Sequence, residues 1–541
     1  MTTLDEAFPA AGSRSSAVGV SAVMPSAAIP SVDLRVDGRP VAESVRRSLV
    51  SLRIASRLSL PTQCELAFAT WQGSAAEYDS IPIGARIEVS VPGRVTTPTT
   101  AGFDGEVSAV ELVHGPDGEA LLRIRAYDVL HRLRRQQQLR VFEDVTVADL
   151  ASTLTSDLGI QVNADEPGPR SDRIVQHSQS DFELLAATAN HAGLHLVLVD
   201  GELRLVTLAG NGDPVPLDLG TSLLEARIAV NASRARHRIR ALGWHAQRAE
   251  VMDERATTAR GGARVGLDVA SLTAGVAEEW ADTDLTGRGV DELTGFAQAR
   301  LDASAGQVVT LHGVAEGDTS LRAGTRVDLR GVATAFQGTY VLTEAIHTLD
   351  GTGFRTAFST EPPTPAHAPT DSTITLGRVT NVDDPEGLGR VRVNLPAQGD
   401  LDAGWLAVLC PGAGRDKGIV ALPDVDDTVL VALPHGISAD GIVIGSIFGQ
   451  IAPPDNGIVD GAVRRWSFST PSGHSILLDD DQRRIRIADG SGSFVELGPD
   501  LVRLHAQTDL VVEAPGRKLT IRAATVDFAH APEPEDQEVR S

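Results

Sequence analysis

Two cysteines, Cys64 and Cys410, are all that the 541 residues contain. So far apart, they read as small core hydrophobes and supply neither a disulfide scaffold nor a metal-ligating set. Aromatic residues are sparse at 4%, and alongside 52 Gly and 29 Pro this favours many short strands and turns. No run approaches the roughly 18 apolar residues of a membrane span. The mildly apolar stretch 15–30 follows Asp5 and Glu6, lacks a basic leader and is interrupted by Pro25 and Pro30. Residues 1–30 therefore read as a flexible arm and not as a secretion signal. A formal net charge of −24 speaks against a nucleic-acid partner, because phosphates call for clustered Lys and Arg. The expectation is a soluble chain made in the cytoplasm.

Catalytic signatures are missing too. His191 and His195 are four apart, but Gly193 breaks the helix between them and the Glu of a zinc protease is absent. The run GAGRDKG (412–418) lacks the Gly-Lys-Ser/Thr ending of a phosphate loop and lies among strands. No G-x-S-x-G nucleophile elbow occurs. No catalytic, cofactor or metal residue is assigned. Acidic residues are abundant, so a carboxylate pair stays open.

What is present is mainly β pattern. Residues 31–363 begin with strand-like VDLRVDG (32–38), IPIGARIEVSV (81–91) and FDGEVSAVELV (103–113). Two short helices follow. Thr146 is placed to cap 147–158 with Asp149 closing the box, and Ser180 to cap 181–192 with Glu183; Gly159 and Gly193 end them. Asp200-Gly201 between alternating runs predicts a tight hairpin. A faint repeat relates Gly84-Ala85-Arg86-Ile87-Glu88-Val89 to Gly324-Thr325-Arg326-Val327-Asp328-Leu329, followed by Phe103-Asp104-Gly105 and Phe336-Gln337-Gly338. It predicts two similar barrel-like subdomains. A Pro/Thr linker at 364–374, an all-β module at 375–449 and a connector at 450–465 come next.

The tract 466–529 alternates with period two. Ile485 and Ile487, Leu510 and Val512, Leu519 and Ile521, and Val526 and Phe528 are separated by polar neighbours and turn clusters. Ordering about 60 residues costs on the order of 90 kcal/mol, and one isolated meander leaves its apolar face in water. Three copies wound about a common axis bury those side chains and close the strand edges. A trimeric needle with these eight residues inside is the expectation, and 530–541 reads as an acidic tail.

At these residues the chain resembles the VgrG-type spike proteins of contractile injection systems, a group spanning phage tail hubs and spikes, type VI secretion spikes and extracellular injection particles. Asp384-Pro385-Glu386-Gly387-Leu388-Gly389-Arg390-Val391 is similar to the opening of that family's OB-fold. Trp405, Gly412, Gly418, Pro423, Val429, Gly436 and Gly445 continue the pattern, with Asp426 where the family has Gly. Tyr127-Asp128, Phe142, Phe182, Gly193-Leu194, Tyr340, His347 and Phe354 resemble landmarks of the hub half.

The resemblance implies a homotrimer: a hub forming a ring of six similar units under the inner tube, an OB-fold collar and an intertwined triple-stranded β-helix. Implied partners are inner tube and baseplate proteins, a PAAR-like tip protein at the C-terminal end (His530 lacks the second His of an iron-binding tip) and cargo effectors. A membrane is met only during puncture, and the site of assembly is a tail-like particle, cytoplasmic or released. A lysozyme insert of on the order of 100 residues has no room between Phe448 and Arg465. The reading is a non-enzymatic hub and spike; the alternative is an envelope-degrading, peptidoglycan-active hydrolase carried on a phage-type spike.

Overall fold

The computed structural model describes residues 32–70, 81–91, 101–115, 120–268, 279–286, 289–363, 372–436 and 440–529. The expected arm 1–30, the tail 530–541 and most of the 364–374 linker lie outside them. Two compact units divide the chain, Met1–Ile447 and Phe448–Ser541.

The first unit is built around an eleven-stranded sheet. Its centre is the antiparallel pairing of Leu49–Arg57 with Glu344–Asp350, running from Arg57↔Glu344 to Leu52↔Leu349. Strands from the two ends of the region 32–363, which the repeat predicts to be two similar barrels, are thus joined in one sheet. Separate cores lie on either side of this seam. One gathers Leu34, Ile54, Phe68, Ile87 and Ile124, the other Leu311, Val327, Tyr340 and Phe358.

The repeat is visible in the backbone. Gly84 N–H donates to Val107 O (2.8 Å) and Val107 N–H to Ala85 O (2.9 Å); Gly324 N–H donates to Leu342 O (2.7 Å) and Leu342 N–H to Thr325 O (2.9 Å). Both glycines adopt positive φ, +89° and +87°, a region that penalises a Cβ. The likeness stops there. Phe103-Asp104-Gly105 lies inside the strand Ala101–His114, whereas Phe336 ends a 3₁₀ turn and Gly338 opens a new strand.

Both expected capping boxes form, at Thr146/Asp149 and Ser180/Glu183. The first helix is α-helical only over Val147–Thr155 and tightens to 3₁₀ over Ser156–Leu158; the second stops at His191. They pack with the strands His195–Val199 and Glu202–Val206 around Leu150, Phe182, Leu185, Leu196 and Leu203. Asp200 (φ 52°) and Gly201 (φ 80°) make the predicted tight turn between those strands.

The longest helix, Val290–Val308, was not legible. Gly289 gives it no side-chain cap, and small residues blur its stripe of Leu293, Ala297 and Leu301. Those small residues have a purpose: a Cβ on Gly306 would lie 2.6 Å from Pro362 Cγ. Cys64 is buried, but Cys410 is only partly so, because it starts the exposed loop after a barrel strand and not a core segment.

The module after the linker is a closed five-stranded barrel: Thr373–Asn381, Val391–Leu395, Leu401–Val408, Ile442–Ser446 and Thr428–Leu433. Val379, Val391, Val393, Leu406, Val429 and Val443 fill it. Its first strand begins at Thr373, inside the segment read as linker.

The second unit holds a small hairpin, Ile458–Val459 with Ala462–Val463, then a five-stranded antiparallel meander.

Candidate functional site

The meander is built from Arg465–Ser469, Ser475–Asp479, Arg484–Ala488, Phe494–Leu497 and Val502–His505. Period-two alternation puts residues i and i+2 on one face, and the register stacks them into two rows. Trp466, Leu478, Ile485, Leu497 and Val502 stand opposite one another in sequence across the five strands; Phe468, Ile476, Ile487, Val495 and Leu504 form the second row. All ten are large, apolar and exposed, with Phe468 at 64% and Val502 at 68%.

The opposite face has its own partners. Glu496 stands 3.3 Å from Arg486 and 3.6 Å from Arg484, and the Arg486 guanidinium lies 3.8 Å over the Phe494 ring. Below the first strand, Arg465 holds Asp455 at 2.6 Å, which keeps the Asp455 carboxyl under the usual range. One face therefore carries its own ion pairs and a cation–ring contact, and the other is uncovered. Burying side chains of this kind is worth about 1.5–3 kcal/mol each.

Ile485 and Ile487, expected inside a needle, lie on the uncovered face; the other eight residues of the two rows went unnamed, although Trp466-Ser467-Phe468 carries the same alternation. The remaining expected core residues behave differently. Leu510, Val512, Leu519, Ile521, Val526 and Phe528 are exposed, Phe528 at 90%, in a segment with no assigned strand. Over 508–529 the one backbone hydrogen bond among the described residues runs from Arg517 N–H to Ala514 O, at 2.9 Å. Extended backbone with unfilled donors and acceptors and alternate apolar side chains is half of a sheet.

The OB motif residues organise a loop and the barrel it opens. Asp384 accepts from the N–H groups of Glu386, Leu388 and Arg390 and from the Arg390 guanidinium. Arg390, first, and then those N–H groups hold its carboxyl well below the usual range. Pro385 follows Asp384 in this loop, and Gly387 and Gly389 turn it at positive φ. Val391 and Val429 are core. Trp405 is half-buried and pairs with Arg392 on the barrel wall. Gly412, Gly418 and Pro423 lie in the long loop before Thr428, Gly436 ends a 3₁₀ turn, and Gly445 sits in the barrel strand Ile442–Ser446. Asp426 takes φ 73°, the left-handed turn that the family's Gly would adopt.

Buried titratable groups in the hub serve structure. Asp128 caps the turn Val129–Arg135 and accepts from Thr62 N–H; burial lifts its pKa to about 6. Outside these buried groups, the exposed His191 packs on Phe296 with ring centroids 4.8 Å apart; within them, His347 meets Thr356 Oγ1 at 2.9 Å. Among the described residues no three His, Cys, Asp or Glu are grouped to hold a metal ion, and no helix is long and apolar enough to cross a membrane.

Comparison with known proteins places this architecture. The model of the type VI secretion system/phage-baseplate injector OB domain matches residues 375–448, the closed barrel. A model described as the Alg8 N-terminal domain matches residues 70–351, over half of the chain. No curated protein matches. Among solved structures, the E. coli protein c3393, described as a type VI secretion component similar to the T4 bacteriophage tail proteins gp27 and gp5, is 13% identical. It aligns with TM-score 0.51 over 76% of this chain and 99% of its own. The Francisella PdpA-VgrG complex in its half-lidded form is 7% identical, with TM-score 0.51 and 88% of each chain covered. At such identities the likeness is one of fold. The chain belongs to the Alg8 N-terminal domain family, matches the type VI secretion/phage-baseplate injector OB domain over its barrel, and is VgrG-like in fold.

Proposed function

We propose that this chain is the hub and central spike of a contractile injection apparatus, joining inner tube and baseplate to a membrane-puncturing needle, without enzymatic activity of its own. The observation that carries the reading is the ten-residue apolar face of the meander, continued by a strand-like tip that has no ladder within the chain. Three copies that turn this face inward form a three-sided prism, and the tips braid below it. The polar face, with Arg486, Glu496 and Phe494 in mutual contact, then meets water.

The implied partners are two sister chains, tube and baseplate proteins, a PAAR-like protein at the tip, and cargo. The particle is tail-like, and a membrane is met only during puncture. Buried acids committed to caps and ion pairs support the non-enzymatic part.

Mass photometry of the purified chain should give three times the chain mass, and peptidoglycan zymography should stay blank. A stable monomer at nanomolar concentration, or lysis abolished by one carboxylate substitution, would overturn the proposal.

A further inference from the structure

The hub and the OB barrel are connected by a Pro/Thr-rich stretch, yet side chains also bind them to each other. On one side, Leu139 presses on Gly399: a Cβ there would lie 2.3 Å from Leu139 Cδ1. Arg173, on the hub strand Arg170–Gln176, is 13% exposed. It donates to the Asp402 carbonyl at 2.8 Å and to the Glu143 carboxylate, and stands 3.2 Å from the Asp402 carboxylate. Its guanidinium covers Gly404, where a Cβ would be 3.2 Å from Nε. Asp402 is held in place by Arg392 (3.1 Å) and Gly404 N–H (2.8 Å).

On the other side, a second hub element reaches the loop 384–390. Gln247 Oε1 accepts from Arg390 at 3.3 Å, and Arg248 lies 3.7 Å from Glu386. Two parts of the hub, belonging to different cores, thus grip one strand and its entry turn and one loop of the same barrel.

We propose that this contact is a clamp that makes hub and collar one cooperative body, with Leu139 and Arg173 as its working side chains. Thrust from the hub then reaches the collar through packed groups and not along the tether. The physical case is specific: a nearly buried guanidinium shared between carboxylates of both modules is costly to strand if they part. The glycines at 399 and 404, both at positive φ, also leave no Cβ in the way of the hub. The clamp lies within one chain, so its test is independent of stoichiometry.

Calorimetry of the full chain decides it. Wild type should melt hub and collar in one transition. The variant Leu139→Asp/Arg173→Ala should separate a collar transition lying several degrees below the hub's, while Arg123→Glu, which breaks only an exposed pair with Glu111 inside the hub, should leave a single peak. An unsplit double variant, a wild type that already melts in two steps, or an equal split in Arg123→Glu would each overturn the clamp. If the double variant fails to fold, Arg173→Lys keeps the charge without the fork; it should split the peak by less, and an unchanged profile would again count against the clamp.

Discussion

Asp384 and Arg390 form the most demanding residue pair in the barrel. Their side chains are 4% and 5% exposed, and the carboxylate fixes three backbone amides besides the guanidinium. Removing one member of such a pair leaves an uncompensated buried charge. Arg390→Ala should therefore cost about 3–5 kcal/mol in the urea unfolding of the barrel; a loss below about 1 kcal/mol would assign the loop's order to its glycines.

Acid stability is also set by single residues. Burial holds His195 and His347 down to about 4, against an unfolded value near 6.5. Above pH 6.5 both states are neutral at these sites. As pH falls from 6.5 to 4 the unfolded chain binds protons that the native chain refuses, so stability drops, by about 3 kcal/mol per histidine at most. Asp128 has the opposite sign. Raised to about 6 when folded, it binds its proton before the unfolded chain does between pH 6 and 3.8, which offsets part of the loss. The hub's melting temperature should fall between pH 7 and 4.5, and His347→Gln should flatten that slope; an identical slope in the variant would place the acid sensitivity elsewhere.

Among elements, the meander separates what a sequence tells from what it does not. Alternation identifies an apolar face, because side chains in a strand alternate sides whatever the strand pairs with. It does not name the partner strand: residues 465–505 pair within the chain, and 508–529 do not, though both read as period two. Caps were legible for the opposite reason. Thr146, Ser180 and Asp200-Gly201 act on backbone a few residues away, so their chemistry is local. The helix Val290–Val308 carries no such signal, and its position is decided by distant partners such as Pro362. The clamp residues Leu139 and Arg173 were invisible for the same reason, their targets lying more than two hundred residues on.

The two faces of the meander give the element-scale test. Ile487→Asp places a charge in the centre of the apolar row and should abolish resistance of the assembled band to SDS. Arg486→Ser, one residue away on the polar face, should leave the band intact. Equal behaviour of the two variants would mean that the rows are not buried by assembly.

For the whole molecule, hub and collar contain closed cores of their own, whereas the C-terminal unit buries little by itself. Deleting 466–541 should leave a soluble hub that sediments as a concentration-dependent mixture, with the helix and sheet content of 32–447 preserved. A truncated chain as firmly trimeric as the intact one would move the source of stoichiometry into the hub ring.

The unladdered stretch 508–529 also makes completion measurable. In a lone chain its amides have nothing to shield them, so they take up deuterium as an unstructured peptide does, even while the hub is fully folded. In the proposed trimer, the arrival of sister strands slows them. On that proposal, protection at Leu510, Leu519 and Val526 counts finished needles, where circular dichroism would count merely folded chains, and a nascent spike would stay chemically distinguishable from a mature one until its last residues close.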